Sequence, residues 1–215
     1  MNADERRFEE KWLQMLRGTA VSLLVLGIVG SFLVRSGLFD PKPVGELQES
    51  FQPVGKITVG EDRKVEWLDV TMPDGDFSVR GTAVYQSGSP DSLYGFLLGN
   101  ETENIIVAVS PLGYVTIEQS TVNNQQSTIN QPPAHSPQSL FPFQTWPHVR
   151  TGTVPNEIWI DVIGNQVTVW LNRELLWVGE VDIVGRQIGV VGESFGETAV
   201  FDFKQIQLFW EENHE

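Results

Sequence analysis

The stretch IWIDVIGNQVTVWL, residues 158–171, decides how this chain folds. Two six-residue runs, 158–163 and 166–171, flank Gly164-Asn165, a two-residue hairpin signal. In the register this turn imposes, Val162 faces Val167, Ile160 faces Val169 and Ile158 faces Leu171. All six are apolar, so one face of the hairpin belongs to a core. The other face pairs Ile163 with Gln166, Asp161 with Thr168 and Trp159 with Trp170. A slip of one residue would mix the two sets, because side chains alternate across a strand. The hairpin therefore predicts an antiparallel sheet with one buried face.

The same alternation recurs upstream. Residues 76–86 place Phe77, Val79, Gly81, Ala83 and Tyr85 on one face, and 93–98, 105–110 and 114–118 read as further strands. Many short strands with no helical period between them predict a sandwich or barrel. The bias after the first forty residues agrees: Val, Ile, Thr, Phe and Trp are plentiful, while helix-favouring Ala, Lys and Met are scarce. Residues 119–148 interrupt the pattern with Gln, Asn, Ser and Pro, including Gln131-Pro132-Pro133-Ala134, and predict one long loop, functional or mobile.

The first forty residues read differently. GTAVSLLVLGIVGSFLV, residues 18–34, is 17 residues without a charge, between Arg17 and Arg35. A helix of that length is about 26 Å long, slightly short of a hydrocarbon core of roughly 30 Å. The two arginines can snorkel outward, and Leu38 and Phe39 extend the apolar stretch. A cleaved signal sequence fits poorly, since Leu33-Val34-Arg35-Ser36 lacks a small-x-small site. The expectation is an uncleaved transmembrane anchor over 18–39, with 1–17 a cytoplasmic tail and the bulk of the chain outside the plasma (inner) membrane. Within that tail, 3–16 reads either as a charged helix with Phe8, Trp12 and Met15 on one side or as a frayed end. Asp40-Pro41-Lys42-Pro43 cannot continue a helix, so 40–50 reads as a linker and 51–211 as the β-domain.

Composition removes several functions. The chain has no cysteine, which excludes disulfides, thiolate catalysis and cysteine-built metal sites. Net charge is −14, and residues beyond 35 carry 24 acidic groups against 9 basic ones. A domain this acidic repels nucleic acid and anionic headgroups.

From about residue 74 to 210 the chain resembles the concanavalin A-like lectin/glucanase superfamily, closest to its laminin-G-like jelly rolls and the 3-keto-disaccharide hydrolase type domain. The resemblance rests on Asp76-Phe77-Ser78-Val79, Leu93-Tyr94-Gly95-Phe96-Leu97-Leu98, Trp146-Pro147-His148-Val149, Asn156-Glu157-Ile158, Gly189-Val190-Val191 and Phe201-Asp202-Phe203. It implies a two-sheet antiparallel jelly-roll sandwich and, since such domains include lectins, glycosidases and adhesion modules, no single activity. The hairpin that usually reads Asn-Gly in such domains is Asn172-Arg173 here. Arg at a left-handed position costs roughly 1 kcal/mol, so this turn is expected to take another shape.

No catalytic set emerges from the sequence. Gly192-Glu193-Ser194-Phe195-Gly196 matches a nucleophile elbow, but a strand follows it where the motif needs a helix. Glu180-Val181-Asp182 starts like the glucanase Glu-x-Asp-x-x-Glu strand, yet Gly185 stands where the second glutamate belongs. His135, His148 and His214 are not at ligand spacing, and Glu157, Asp161 and Glu180 are the acids to inspect for a converging pair. Asp74 and Asp76, like Glu61-Asp62, are weak Ca²⁺ candidates, more simply read as solvated acidic turns. No cofactor is otherwise expected.

The best candidate surface is Trp159 and Trp170, opposed on the non-core face beside Asp161 and Thr168, with Trp146 nearby in sequence order. Either the two indoles stack on a sugar ring or a partner, or the 119–148 segment with Phe141, Phe143 and Trp146 folds over them. The sequence thus predicts a membrane-anchored extracytoplasmic binding module for glycan or cell-envelope material rather than an enzyme. The alternatives are an accessory subunit docked on another membrane protein and a glycoside-active domain.

Overall fold

The computed structural model describes residues 3–38, 40–51, 55–122 and 135–211. The chain divides into two units, 1–42 and 43–215. The first is one continuous helix, α1 (Ala3–Arg35), so the charged segment and the apolar span are not separate elements. Gln14–Arg35 is long and apolar enough to cross a membrane, and none of it is buried. The helix closes with Ser36 N–H donating to Phe32 O and with Gly37 at φ 69°, a left-handed cap that glycine adopts without a Cβ penalty. Phe39, the expected end of the span, lies outside the described residues.

The second unit is built from strands alone: β1 (Glu46–Phe51), β2 (Gly55–Val59), β3 (Lys64–Thr71), β4 (Phe77–Gly88), β5 (Ser92–Gly99), β6 (Glu103–Val109), β7 (Tyr114–Val122), β8 (His135–Thr145), β9 (Asn156–Ile163), β10 (Gln166–Leu171), β11 (Glu174–Glu180), β12 (Gln187–Ser194) and β13 (Ala199–Trp210). They form two antiparallel sheets. One is seven-stranded in the order β1-β13-β4-β9-β10-β11, with β2 also on β13; the other is six-stranded, β3-β12-β5-β6-β7-β8. This is the jelly-roll sandwich expected from the sequence.

The β9–β10 hairpin has the predicted register throughout, from Ile163 opposite Gln166 to Ile158 opposite Leu171. Its inward row, Ile158, Ile160, Val162, Val167, Val169 and Leu171, is buried in one cluster with Phe201 and Phe203 of β13 and Tyr94 and Phe96 of β5. Burying large apolar side chains, at about 1.5–3 kcal/mol each, is what holds the two sheets together. Tyr94 stacks on Phe201 with centroids 5.1 Å apart. Gly81 of β4 leaves room for Phe96, whose Cζ would stand 2.2 Å from a Cβ at that position.

Three expectations need correction. The 40–50 linker contains β1, which pairs Glu46 with Trp210 and Phe51 with Ile206, so the sandwich starts before residue 51. The 119–148 loop contains the end of β7 and the whole of β8, which pairs with β7 from Tyr114↔Thr145 to Val122↔His135. Pro137 and Pro142 do not prevent this, because β8 is an edge strand of its sheet and needs no donor on its free side. Residues 123–134, with the Gln131–Ala134 run, lie outside the described residues. Finally, Asn172 and Arg173 sit at φ 52° and 74° between Leu171 and Glu174, so the turn keeps the left-handed shape of an Asn-Gly hairpin despite its arginine.

Candidate functional site

The outer face of the seven-stranded sheet carries the predicted tryptophan pair, with Trp159 closed off and Trp170 partly exposed. Trp159 is 2% exposed, and Trp170 is half-buried. Both indoles donate to one carboxylate: Trp159 Nε1 to Asp161 Oδ1 at 2.6 Å, and Trp170 Nε1 to Asp161 Oδ2 at 2.8 Å. Ser78 Oγ donates to Asp161 Oδ1 at 2.5 Å and accepts from Val44 N–H. Burial pushes the Asp161 carboxyl above its ordinary value, against the hydrogen bonds from Ser78, Trp170 and Trp159. The Arg80 guanidinium lies 5.2 Å from the Trp159 ring centroid and pairs with Glu157 at 2.6 Å. Trp159 therefore offers no stacking face, and Thr168 lies beside the cluster, opposite Asp161.

The cover expected from the 119–148 segment is absent among the described residues. Phe141 and Trp146 instead pack on the main core, with each other at 6.2 Å, and Phe143 stacks on Tyr114. Asp74 pairs with Arg186, and Asp76 Oδ1 accepts the Gly164 N–H at 2.8 Å. Among the described residues no group of three His, Asp or Glu side chains is placed to hold a metal. Ser194 lies in β12, 1% exposed, its hydroxyl donating to Glu197 O; it is not a nucleophile elbow. His148 sits beside Trp146, while His214 lies outside the described residues and nothing is described of the His135 side chain.

The residues that do converge lie on the outer face of the six-stranded sheet. There Leu93 and Leu97 of β5, Ile106 and Ala108 of β6 and Val191 of β12 form a second buried cluster, with Trp67 of β3 packed against it. Register explains the arrangement. Trp67 lies opposite Gly189, which lies opposite Leu97, which lies opposite Ile106, which lies opposite Glu118. A Cβ on Gly189 would stand 2.9 Å from Leu97 and 3.0 Å from the indole, so glycine there lets Trp67 lean across the strand. Beside this apolar floor is a cleft of about 690 Å³, lined by Arg63, Val65, Trp67, Glu101, Asn104, Ile106 and Ser120. Its size falls within the roughly 300–1,000 Å³ of small-ligand sites.

Arg63, from the turn before β3, bridges this face. Its Nη2 lies 2.7 Å from Glu193 Oε2 on β12 and 3.3 Å from Glu118 Oε2 on β7. In a flat sheet those strands would be about 14 Å apart, so the two glutamate side chains must lean toward each other to share one guanidinium. Burial lowers the affinity of the guanidinium for its proton. Bonding and charge from Glu193, then Glu118, outweigh that and hold Arg63 above its ordinary value. Beneath the bridge only a void of about 10 Å³ remains. Since both oxygens touch one nitrogen at 2.7 and 3.3 Å, they lie within about 6 Å of each other. By contrast Glu157 and Asp161 belong to the opposite sheet, and Glu180 ends β11 at the far edge of that sheet.

No protein-family model matches this chain, and no curated protein does. Solved structures do. The carbohydrate binding module CBM66 from Bacillus subtilis superposes with a TM-score of 0.50 at 10% identity, over 75% of this chain and 98% of that one. An endo-acting O-glycanase of the human gut microbiota, of a group that initiates mucin breakdown, superposes with a TM-score of 0.51 at 7% identity, over 73% and 79%. These likenesses establish the fold of the second unit as a two-sheet jelly-roll sandwich.

Proposed function

We propose that this protein is a membrane-tethered carbohydrate-binding module whose ligand occupies the cleft beside Trp67. The observation that carries the reading is the juxtaposition of a half-buried indole, an apolar floor and the polar side chains of Asn104 and Ser120 in one cleft. Sugar rings present an apolar face to aromatics and a hydroxyl rim to amides and hydroxyls, and this cleft supplies both partners. The tether is α1, with the more basic flank inside the plasma (inner) membrane and the sandwich outside.

A second reading is favoured by Glu118 and Glu193, whose oxygens approach the separation of roughly 5–5.5 Å used by retaining glycosidases. Arg63 stands between them and is bonded to both, occupying the space a scissile oxygen would need, so binding ranks first. The test is titration of the full chain, in detergent, against a panel of neutral oligosaccharides. Trp67→Ala is expected to weaken the best ligand about tenfold or more, the effect of losing ~1.4 kcal/mol or more of stacking. Unchanged affinity in that variant would sink the assignment of the cleft. Release of reducing sugar by the wild type, lost in Glu118→Gln or Glu193→Gln, would establish the second reading.

A further inference from the structure

We infer that the cleft receives the end of a neutral oligosaccharide chain and not an internal stretch of one. The inference rests on the carbohydrate reading of this site and deepens it. The lining residues place one wall on β3, with Val65 and Trp67, and the other on β7, with Ser120, so the cleft follows the strand direction. At one end Arg63 crosses from Glu193 to Glu118 and the floor beneath it is packed shut. At the other end stand Glu101 and Asn104, where the β5–β6 turn is exposed and, among the described residues, nothing crosses the face.

A groove blind at one end admits a chain only by its terminus. An internal segment needs an exit as well as an entrance, and here the exit is filled by a guanidinium held on both sides. The same groups fix the charge of the ligand. Arg63 is already neutralised by two carboxylates, and Glu101 stands at the mouth, so an anionic sugar meets net negative potential along its path. A chain end of uncharged sugars meets none. The bridge itself supplies donors and acceptors at the blind end, where the hydroxyls of a terminal ring would arrive.

The test uses the full chain in detergent and a length series of linear neutral gluco-, fructo-, manno- and galacto-oligosaccharides with their parent polymers, plus cyclic glucans, which have no ends. For the series that binds, affinity per chain is expected to stay constant with length. At equal sugar concentration, binding should then fall roughly twentyfold from a five-ring chain to a hundred-ring polymer, the ratio of their ends. Cyclic glucans should not bind. Arg63→Ala should open the blind end and raise polymer binding toward that of the short chain. Equal binding of polymer and oligosaccharide by the wild type, or binding of a cyclic glucan lost in Trp67→Ala, would overturn chain-end recognition while leaving the carbohydrate site intact. Absence of binding across the whole series would remove both. The wild-type length series decides the matter even if Arg63→Ala fails to fold.

Discussion

Asn172 and Arg173 occupy adjacent left-handed positions in one turn, and substituting glycine at each should move stability by very different amounts. At φ 74° the arginine backbone carries strain of about 1–2 kcal/mol that glycine lacks. Glycine returns about 0.4–1 kcal/mol of that through the greater freedom it gives the unfolded chain. The Arg173 Nε contact with Glu157 is 4.0 Å long on a side chain 55% exposed, and exposed pairs contribute about 1 kcal/mol at most. These contributions nearly cancel, so Arg173→Gly should leave the stability of the sandwich within about 1.5 kcal/mol of wild type. At 172 the side chain decides instead. Asn172 Nδ2 donates to His148 O at 2.7 Å and to Asn156 Oδ1 at 2.8 Å, and Oδ1 accepts the Glu157 N–H at 2.9 Å. Losing three such bonds at about 0.5–1.5 kcal/mol each should cost Asn172→Gly about 2–4 kcal/mol. Urea unfolding followed by tryptophan fluorescence reads both. With melting shifts of about 2–4 °C per kcal/mol, the two variants should melt several degrees apart. A loss as large in Arg173→Gly as in Asn172→Gly, or an unchanged midpoint in Asn172→Gly, would refute the division between backbone strain and side-chain bonding.

Other consequences are as direct. The raised Asp161 carboxyl means that the native state holds that proton more tightly than the unfolded chain does. Its contribution is therefore largest in acid and is lost as pH rises from the ordinary carboxylate range through the raised value. The stability advantage of wild type over Asp161→Asn should accordingly widen on acidification; a shrinking gap would mean the three donors outweigh burial. Gly81→Ala places a Cβ 2.2 Å from Phe96 Cζ and should cost about 1–3 kcal/mol in urea unfolding, partly recovered by adding Phe96→Leu. Leu24→Arg puts a charge in the span of α1 at a cost of about 2.5–3.5 kcal/mol, so it should reduce the carbonate-resistant membrane fraction. Full retention in that fraction would count against α1 as the anchor.

What the sequence revealed and what it hid divide along a physical line. The β9–β10 register was legible because its inward and outward sets differ so sharply in polarity that one slip would bury Gln166. The same two-state logic failed for Trp159 and Trp170. Alternation says which side of a sheet a residue is on, and nothing about three donors gathering on Asp161 to close that side. The cleft left a trace in β5, whose eight residues are all buried, and in the unbroken Ile105-Ile106-Val107-Ala108-Val109 run. A strand apolar on both faces has something other than water on its second face. The partners of that face were not legible. Trp67 comes from β3, and Glu118 and Glu193 come from strands three places apart in the sheet, brought together on Arg63 by a contact that no local pattern encodes. β1 and β8 were hidden for a different reason: both are edge strands, free to carry polar residues and proline.

β13 is hydrogen-bonded to β4 along one side, and to β2 and then β1 along the other. Its twelve residues are synthesised after the other described strands, whereas β1 and β2 follow directly on α1. The first two strands thus wait for a partner some 140 residues away, on the order of ten seconds at about 5–20 residues per second. Through that interval β1 and β2 stand unpaired at the margin of an unfinished sheet. Closure of the sandwich therefore waits for β13 and does not proceed strand by strand. A chain stopped short of residue 199 would keep α1 and the strands that frame the cleft, yet it would lack the strand that binds the leading edge of the sandwich to the rest.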